Sequence, residues 1–417
     1  MVDARSARRG LFLVFMIMFL DVIGIAIIMP VLPTYLRELT GDDIGQAAVD
    51  GGWLLLVYAG MQFLFAPFVG NLSDRFGRRP VLLVCILTFA FDNLICALAT
   101  SYWMLFVGRV LAGLSGASFS TAAAYIADVS TDETRSKNFG LMGIAFGTGF
   151  VLGPVIGGFL GEFGPRIPFY GAAALAFLNF VAAWILLPES LEAKNRRPFE
   201  LVRANPLGAL LQMRKYPGVL WVGLVFFCYG LAHVVYPAVW SFVSAYRYGW
   251  SEGQIGFSLG VFGVGSALVM GLVLPRIVPR LGEYRTAVIG LSFAVLGLAG
   301  YAAAVEGWMI YAVIALTALE ALADPPLRSI ASARVPPSAQ GELQGALTSV
   351  SSITTIIGPL IFTQVFSGFT QPSAPFVFAG APFAVAALIL LVGLVVFVTK
   401  LRGAGAGPTA DLAAEKA

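Results

Sequence analysis

The chain has 417 residues, of which 58% are hydrophobic and 12% are charged, and its formal net charge at pH 7 is +3. Soluble domains carry about 25% charged residues, so this composition excludes an ordinary soluble protein and indicates an integral membrane protein. The small net charge gives no support to a nucleic-acid partner, and the three cysteines lack metal-ligand spacing and are expected to be reduced core residues.

Apolar runs long enough to cross a bilayer recur along the whole chain. The first run follows Arg5, Arg8 and Arg9 but lacks the small-residue cleavage site of a signal peptide, so it is predicted to be the first span. Six spans are predicted in the first half, at about 11–36, 53–72, 80–100, 102–125, 138–162 and 168–187. Six more are predicted in the second half, at about 217–243, 254–278, 284–305, 307–332, 341–366 and 375–399.

The longest polar stretch between spans, residues 188–216, divides the chain into two halves of similar size. We expect it to be a cytoplasmic loop between an N-terminal six-helix bundle, 1–187, and a C-terminal six-helix bundle, 217–402. Residues 403–417 are expected to form a flexible cytoplasmic tail.

Basic residues are distributed unequally between the two sides of the predicted spans. On one side lie only Arg37, Arg166 and Arg247, whereas the tails and the connections on the other side are rich in arginine and lysine. Because the basic side of a membrane protein is normally cytoplasmic, we expect both termini in the cytoplasm.

The most highly charged short connection is residues 70–80 (GNLSDRFGRRP), between spans 2 and 3. In one interpretation Gly77 allows a tight turn and the arginines only fix the orientation of the chain. In the other, Asp74 caps a helix end or pairs with a basic group on a neighbouring span, and this contact holds an inner gate in one state.

The two halves are related by a repeat of 205 residues without a gap. Arg75 and Gly77 align with Arg280 and Gly282, and the pairs Trp103–Met104 and Gly153–Pro154 recur as Trp308–Met309 and Gly358–Pro359. Two pseudo-symmetric six-helix bundles related in this way are typical of transporters, with the substrate path between them. The predicted fold is therefore an all-α integral membrane protein with 12 transmembrane helices in two bundles.

Ionisable side chains inside the spans are candidate coupling groups, because a charge in the middle of a membrane is energetically costly. Asp21 and Asp92 lie near the middle of spans 1 and 3. Glu320 and Asp324 are four residues apart in span 10, so we expect them to share one face and to titrate as a coupled pair.

Several of these residues also have a purely structural interpretation. Arg109 of span 4 could lock helices together through Asp21 or Asp92, and Arg328 could extend towards the membrane surface. His233, the single histidine, is either a packing residue or a proton carrier.

Three groups of residues resemble signatures of the major facilitator superfamily. The signature between its spans 2 and 3 is similar to Gly70, Asp74, Arg75, Gly77, Arg78 and Arg79. The span 5 signature of its drug–proton antiporters is matched by Gly140, Gly149, Gly153, Pro154, Gly157 and Gly158. Arg109 with Gly113 and Gly116 resembles the span 4 signature. The segment LDVIGIAIIMPVLPTYLREL is similar to the corresponding segment of tetracycline exporters.

The resemblance implies a gate made by the residues of the 70–80 signature together with Asp128, and a tightly packed span 5 suited to antiport. It also implies proton coupling through buried acids, for which the candidates are Asp21, Asp92, Glu320 and Asp324. Tetracycline exporters carry a histidine on span 8 and an aspartate on span 9, whereas neither GVFGVGSALVMG nor TAVIGLSFAVLGLAGYAAA contains one here. The coupling site of the second half is therefore missing or has moved to span 10. Polar groups expected to line a substrate cavity are Tyr58, Gln62, His233, Arg328 and Gln364.

These patterns predict a secondary transporter of the inner (cytoplasmic) membrane that exchanges protons for amphipathic drugs. No phosphate-binding Gly-Lys-Ser/Thr motif, catalytic triad or metal-ligand pattern indicates an enzyme. The alternatives are a proton-coupled importer or facilitator of a small metabolite, and a lipid-translocating protein. We expect a monomer without a cofactor, the proton being the coupling ion and a divalent metal entering only with the substrate.

Overall fold

The computed structural model describes residues 4–199, 218–336, 339–371, 374 and 376–401. Most of the predicted central loop and the whole of the predicted tail lie outside these described residues. Within them the chain is helical and contains no β-strand.

The first half forms eight α-helices: α1 (Ala4–Ala26), α2 (Leu32–Thr40), α3 (Ile44–Phe76), α4 (Arg78–Ala97), α5 (Tyr102–Gly116), α6 (Ser118–Asp128), α7 (Asp132–Gly161) and α8 (Ile167–Leu186). The described part of the second half forms eight more: α9 (Val219–His233), α10 (Val235–Tyr248), α11 (Glu252–Leu268), α12 (Leu274–Ala303), α13 (Gly307–Thr317), α14 (Asp324–Ser332), α15 (Gln340–Gly368) and α16 (Ala381–Lys400). A π-helical turn, Val269–Val273, joins α11 to α12, and a 3₁₀-helix, Ala318–Leu322, joins α13 to α14.

Within the described ranges, 11 helical stretches are long and apolar enough to cross a membrane. One of them, Glu252–Ala303, has 52 residues, about twice the length that one span needs. Its backbone leaves the helical conformation at Gly282, so it consists of two spans. The predicted fold class with its 12 spans is thereby confirmed.

Four predicted spans are not continuous helices. Span 1 ends at Ala26 and resumes at Leu32, and the interruption contains Pro30, which lacks the N–H group that a helix interior requires. Spans 4 and 7 are interrupted at Ala117 and Val234, and span 10 by its 3₁₀-helix. In the 205-residue repeat, Val234 corresponds to a position in the interruption of span 1, so the same places are broken in both halves.

The backbone repeats at other positions too. Gly77 has φ 105° and ψ 158°, and its partner Gly282 has φ 75° and ψ 166°, a region that side chains with a Cβ rarely enter. Pro154 and Pro359 occupy equivalent interior positions of α7 and α15.

The chain divides into two compact units, Met1–Asn205 with Trp250–Gly260, and Pro206–Gly249 with Val261–Ala417. The core of unit 1 is apolar side chains of α1, α4 and α6: Leu13, Val14, Ile17, Met18, Leu82, Ile86 and Tyr125. In unit 2 the buried cluster includes Val269, Ala318 and Leu322. All three cysteines, Cys85, Cys96 and Cys228, are buried and free, as their apolar surroundings predicted.

Candidate functional site

The turn between α3 and α4 is built around the guanidinium group of Arg78, which is only 7% exposed. Its Nη1 donates to Asp74 Oδ1 and Ser73 Oγ, both at 2.6 Å, and its Nε donates to Asp128 Oδ2 at 3.1 Å. Three predicted gate residues, Asp74, Arg78 and Asp128, therefore form one ion-pair network that joins α3, α4 and the end of α6.

Glu189, which the sequence did not single out, completes this turn. Its carboxylate accepts hydrogen bonds from the backbone N–H groups of Arg78 at 2.9 Å and Arg79 at 3.2 Å, the first residues of α4. A carboxylate here satisfies unpaired N–H groups at a helix N-terminus and complements the helix dipole. A Cβ on Gly77 would collide with Glu189 Oε2, so the site requires glycine.

The remaining predicted gate residues surround this network. Arg75 is exposed and its guanidinium stacks 5.2 Å from the ring centre of Phe76. Arg79 Nη2 donates to the carbonyl oxygen of Trp184, and the carbonyl of Gly70 accepts from Ser73 Oγ. Arg75 thus makes a much weaker contribution to the turn than Arg78 does.

The glycines of span 5 face α1, where the two backbones nearly touch. Ideal Cβ atoms on Gly149 and Gly153 would lie 2.8 Å from Val22 and 2.6 Å from Ala26, and one on Gly157 would collide with the carbonyl group of Ile27. The span 5 signature therefore permits close packing of α7 on the end of α1.

Gly158 faces the first turns of α11, which belong to the same compact unit. A Cβ there would collide with the backbone of Glu252 and Gly256. At this end, Glu162 Oε1 accepts from the Gly253 N–H at 2.8 Å. Hydrogen bonds from the side chain of Ser251 and from the Gly253 N–H hold the pKa of Glu162 below its usual range.

Asp92 and Arg109 form an ion pair in the interior of unit 1. Asp92 is fully buried, and its Oδ1 lies 3.5 Å from Arg109 Nη2, which is also 3.4 Å from Cys96 Sγ. Asp21 and Asp92 were both candidate partners of Arg109, and the structure shows that the arginine pairs with Asp92. Gly113, one helical turn further along α5, packs α5 against Tyr58 and Met61 of α3.

Asp21 lies on α1 without a basic partner among the described residues. It is 7% exposed, its Oδ2 accepts from Ser118 Oγ at 3.2 Å, and its Oδ1 has no hydrogen-bond partner. A cavity of about 10 Å³, room for about one water molecule, is bordered by Asp21, Tyr58, Ser115 and Gly116.

Two predicted cavity residues lie beside this acid. Gln62 Nε2 donates to the carbonyl oxygen of Gly116 at 3.0 Å and lies 3.5 Å from the hydroxyl oxygen of Tyr58. Gln62 thereby connects α3 to the end of α5, where the span breaks. Gln364 is exposed on α15.

In unit 2, Glu320 pairs with His233. The carboxylate is 3% exposed, its Oε1 lies 3.1 Å from His233 Nε2, and its Oε2 accepts from the Tyr236 hydroxyl at 3.4 Å. The imidazole is 33% exposed, so the pair is open on the side of the histidine.

The expected continuous α-helix through Glu320 and Asp324 is wrong, although both acids lie near enough to Tyr229 and His233 to interact with them electrostatically. Glu320 lies in the 3₁₀-helix, whereas Asp324 begins α14, so the two do not occupy successive turns of one α-helix. Asp324 is 36% exposed and its Oδ2 lies 2.8 Å from Arg328 Nε. The interruption arises because Pro325 and Pro326 lack the N–H groups that would continue α-helical hydrogen bonding across this region.

Aromatic rings enclose the Glu320 pair. The ring of Tyr236 lies 5.5–6.3 Å from those of Phe262, Tyr301, Phe383 and Trp240. The imidazole lies 4.4 Å from the ring of Tyr229 and 5.6 Å from that of Tyr236. Sequence patterns did not predict this cluster, because its rings come from five helices.

The four acids predicted to couple protons therefore have different environments. Two are paired with arginine, and two are buried beside hydroxyl groups, with a histidine in addition at Glu320. Within the described residues no group of three or more His, Cys, Asp or Glu side chains could hold a metal ion.

Comparison with known proteins shows a consistent relationship over nearly the whole chain. A family model described as Major Facilitator Superfamily matches residues 14–359 and 225–414. Tetracycline resistance protein, class C, of Escherichia coli is 40% identical over 348 residues, which make up 84% of this chain and 87% of that protein. Multidrug resistance protein 2 of Bacillus subtilis (strain 168) is 28% identical over 383 residues, covering 90% and 91%.

Solved structures are similar in fold. The crystal structure of the human organic anion transporter MFSD10 (TETRAN) matches with a TM-score of 0.68 at 23% identity, covering 94% of this chain and 99% of that one.

Proposed function

This chain belongs to the major facilitator superfamily, and we propose that it is a proton-coupled antiporter that exports amphipathic drugs by alternating access. The family consists of transporters, so the chain is a transporter and not an enzyme, as the sequence predicted. The resemblance to tetracycline exporters is confirmed by the identity over most of the chain. The relatives' names refer to tetracycline and multidrug resistance, and they support a drug as the class of substrate.

One observation carries the proposed proton coupling: two of the four candidate acids have a permanent cation and two have none. Arg109 neutralises Asp92, and Arg328 neutralises Asp324. Arginine keeps its charge at any physiological pH, so it offsets the charge of the carboxylate that it contacts. Asp92 and Asp324 are therefore assigned structural roles.

Asp21 and Glu320 are the two acids left to carry protons. Asp21 receives only the hydroxyl of Ser118, and Glu320 receives the hydroxyl of Tyr236 and the titratable imidazole of His233. An ionised carboxylate in apolar surroundings is costly unless a counter-charge is present, so each site favours the binding of a proton or a cation.

The two proposed sites occupy related places in the repeat. Ser115, which corresponds to Glu320, borders the cavity next to Asp21. Asp21 belongs to span 1 and Ser118 to span 4, while His233 belongs to span 7 and Glu320 to span 10. Each half thus has one acid where its first and fourth spans meet. In the first half the acid belongs to the first of these spans, and in the second half it belongs to the fourth.

The network around Arg78 is the proposed gate. Protonation of a buried acid changes the charge within one six-helix bundle, and a gate held by ion pairs can adopt two discrete arrangements in response. Asp74, Asp128 and Glu189 would hold the turn in the state seen here.

We further infer an inner-membrane location with both termini in the cytoplasm. The apolar helices support a multi-pass membrane protein, and the distribution of basic residues supports this orientation. The chain is proposed to act as a monomer.

Reconstitution into liposomes tests the antiport. Liposomes with an acidic interior should accumulate drug as protons leave, and an ionophore that collapses the pH gradient should abolish accumulation. The panel should include tetracycline, a fluoroquinolone and tetraphenylphosphonium. If no compound responds to the gradient, while the protein remains monodisperse and folded, the antiporter proposal fails.

A further inference from the structure

We propose that Glu320 and the aromatic rings around it form a binding site for lipophilic organic cations, which take the place beside the carboxylate that His233 occupies in this structure. The proposal rests on the proposed export function and names the class of substrate that this half of the protein selects.

The charge of the site favours a cation. Glu320 is 3% exposed, and the neighbouring arginine, Arg328, is already bound to Asp324 at 2.8 Å. Among the described residues the single basic group on Glu320 is the imidazole of His233, which is charged only when protonated. The carboxylate is therefore available to another cation whenever the imidazole is neutral.

The rings around the acid provide a suitable lining. Trp240, Tyr301 and Phe383 are buried and pack against each other, with ring centres 5.0–6.0 Å apart. Faces of aromatic rings carry partial negative charge and attract organic cations that have shed their water, as aromatic cages for quaternary ammonium groups do. Anions and strongly hydrated metal ions gain nothing comparable from such a lining.

The cluster is open on one side. The four residues at its edge, Tyr229, His233, Tyr236 and Phe262, are each partly exposed, in contrast to the fully enclosed rings behind them. An incoming cation would meet these side chains first, and movement of the half-exposed imidazole would uncover Glu320.

Competition with protons follows from this geometry. At low pH the imidazolium of His233 occupies the carboxylate and the cation is excluded. At higher pH the imidazole is neutral and the carboxylate accepts the cation. The other charged or titratable groups that face the pair are Asp324, Arg328, Tyr229, Tyr236 and Tyr301. The acid and the arginine cancel, and the phenols are neutral near pH 7.

Equilibrium binding of tetraphenylphosphonium to the purified full-length protein in detergent tests the proposal. Wild-type affinity should rise as pH is raised from about 6 to about 8, the range in which an imidazole titrates. Glu320→Gln should weaken binding at least about tenfold, because it removes the buried charge that the cation faces. His233→Asn should retain binding and lose most of the pH dependence.

Glu306→Gln is the matched control. It makes the same change at an exposed acid immediately before α13, so its binding and pH profile should match those of the wild type. Thermal unfolding of each variant shows whether it is folded, and the His233→Asn profile keeps the test decisive if Glu320→Gln is unstable.

Three results would overturn the site: binding to Glu320→Gln within about twofold of wild type, equal losses in Glu306→Gln, or an unchanged pH profile in His233→Asn. Such results leave the export function standing if other drugs still respond to the pH gradient. Conversely, normal tetraphenylphosphonium binding without any gradient-driven transport would refute the export function and not the site.

Discussion

Two arginines of the same turn have very different surroundings. Arg78 is buried and bonds to Asp74, Asp128 and Ser73, while Arg75 is exposed against Phe76. A buried ion-pair network is costly to break, because removal of one member leaves the others uncompensated, whereas an exposed arginine contributes little. We therefore expect Arg78, Asp74 and Asp128 to matter more for function than Arg75 does.

Alanine substitution at the two arginines tests whether this turn forms a gate or only fixes the orientation of the chain in the membrane. Arg78→Ala should lower drug export at least about tenfold at equal abundance in the membrane, because it removes the cation shared by two acids. Arg75→Ala carries the same change in charge and should stay within about twofold of wild type. Drug efflux from cells, normalised to membrane protein, measures both, and Asp74→Asn should resemble Arg78→Ala. Equal losses in the two arginine variants would contradict the gate.

Glu189 shows what spacing along a sequence cannot reveal. It lies 111 residues from Arg78 and caps α4 only because α8 returns the chain to the same end of the unit. The partner of Arg109 was likewise undecided between Asp21 and Asp92, since both acids lie at similar depth. Contacts of this kind depend on helix packing rather than on local pattern.

At the scale of helices, the glycines of α7 are not equivalent. A Cβ on Gly157 would meet the backbone of Ile27, which cannot move aside as a flexible side chain can, whereas a Cβ on Gly140 would meet nothing within 4 Å. The signature of span 5 therefore contains residues required for packing and at least one that packing does not require.

Alanine substitution at these two glycines tests the packing. Gly157→Ala should lower the thermal unfolding midpoint by several degrees, since overpacking against backbone costs about 1–3 kcal/mol. Gly140→Ala should leave the midpoint unchanged or raise it slightly, because alanine favours a helix over glycine. Thermal unfolding of both variants in the same detergent gives the comparison. A tolerated Gly157→Ala would mean that α1 and α7 are not in close contact.

Hydrophobic runs and the 205-residue repeat predicted the spans and the turn glycines, because both depend on local composition. They did not predict the broken spans. Pro325 and Pro326 indicate an interruption in span 10, and its consequence is that Glu320 and Asp324 face different partners. Regular helical spacing predicted one α-helix through both acids, whereas Glu320 lies in a 3₁₀-helix and Asp324 begins α14.

At the scale of the molecule, two six-helix halves share a scaffold and differ in chemistry. Gly77 and Gly282 make the same turn, yet only the first turn carries the network of Arg78. The first half has a buried acid without an arginine partner on span 1, and the second half has one on span 10. In the proposed mechanism, a duplicated scaffold with one such acid in each half provides two places at which protons act.

Asp21 and Glu320 are proposed to carry protons, and the acids paired with arginine are proposed not to. The direct measurement is the ratio of initial drug uptake into liposomes with and without an acidic interior, for wild type, Asp21→Asn, Glu320→Gln and Asp324→Asn. We predict a ratio above one for wild type and Asp324→Asn, and a ratio of one for Asp21→Asn and Glu320→Gln. A gradient-dependent Glu320→Gln or Asp21→Asn protein, or an Asp324→Asn protein that ignores the gradient, would contradict the claim.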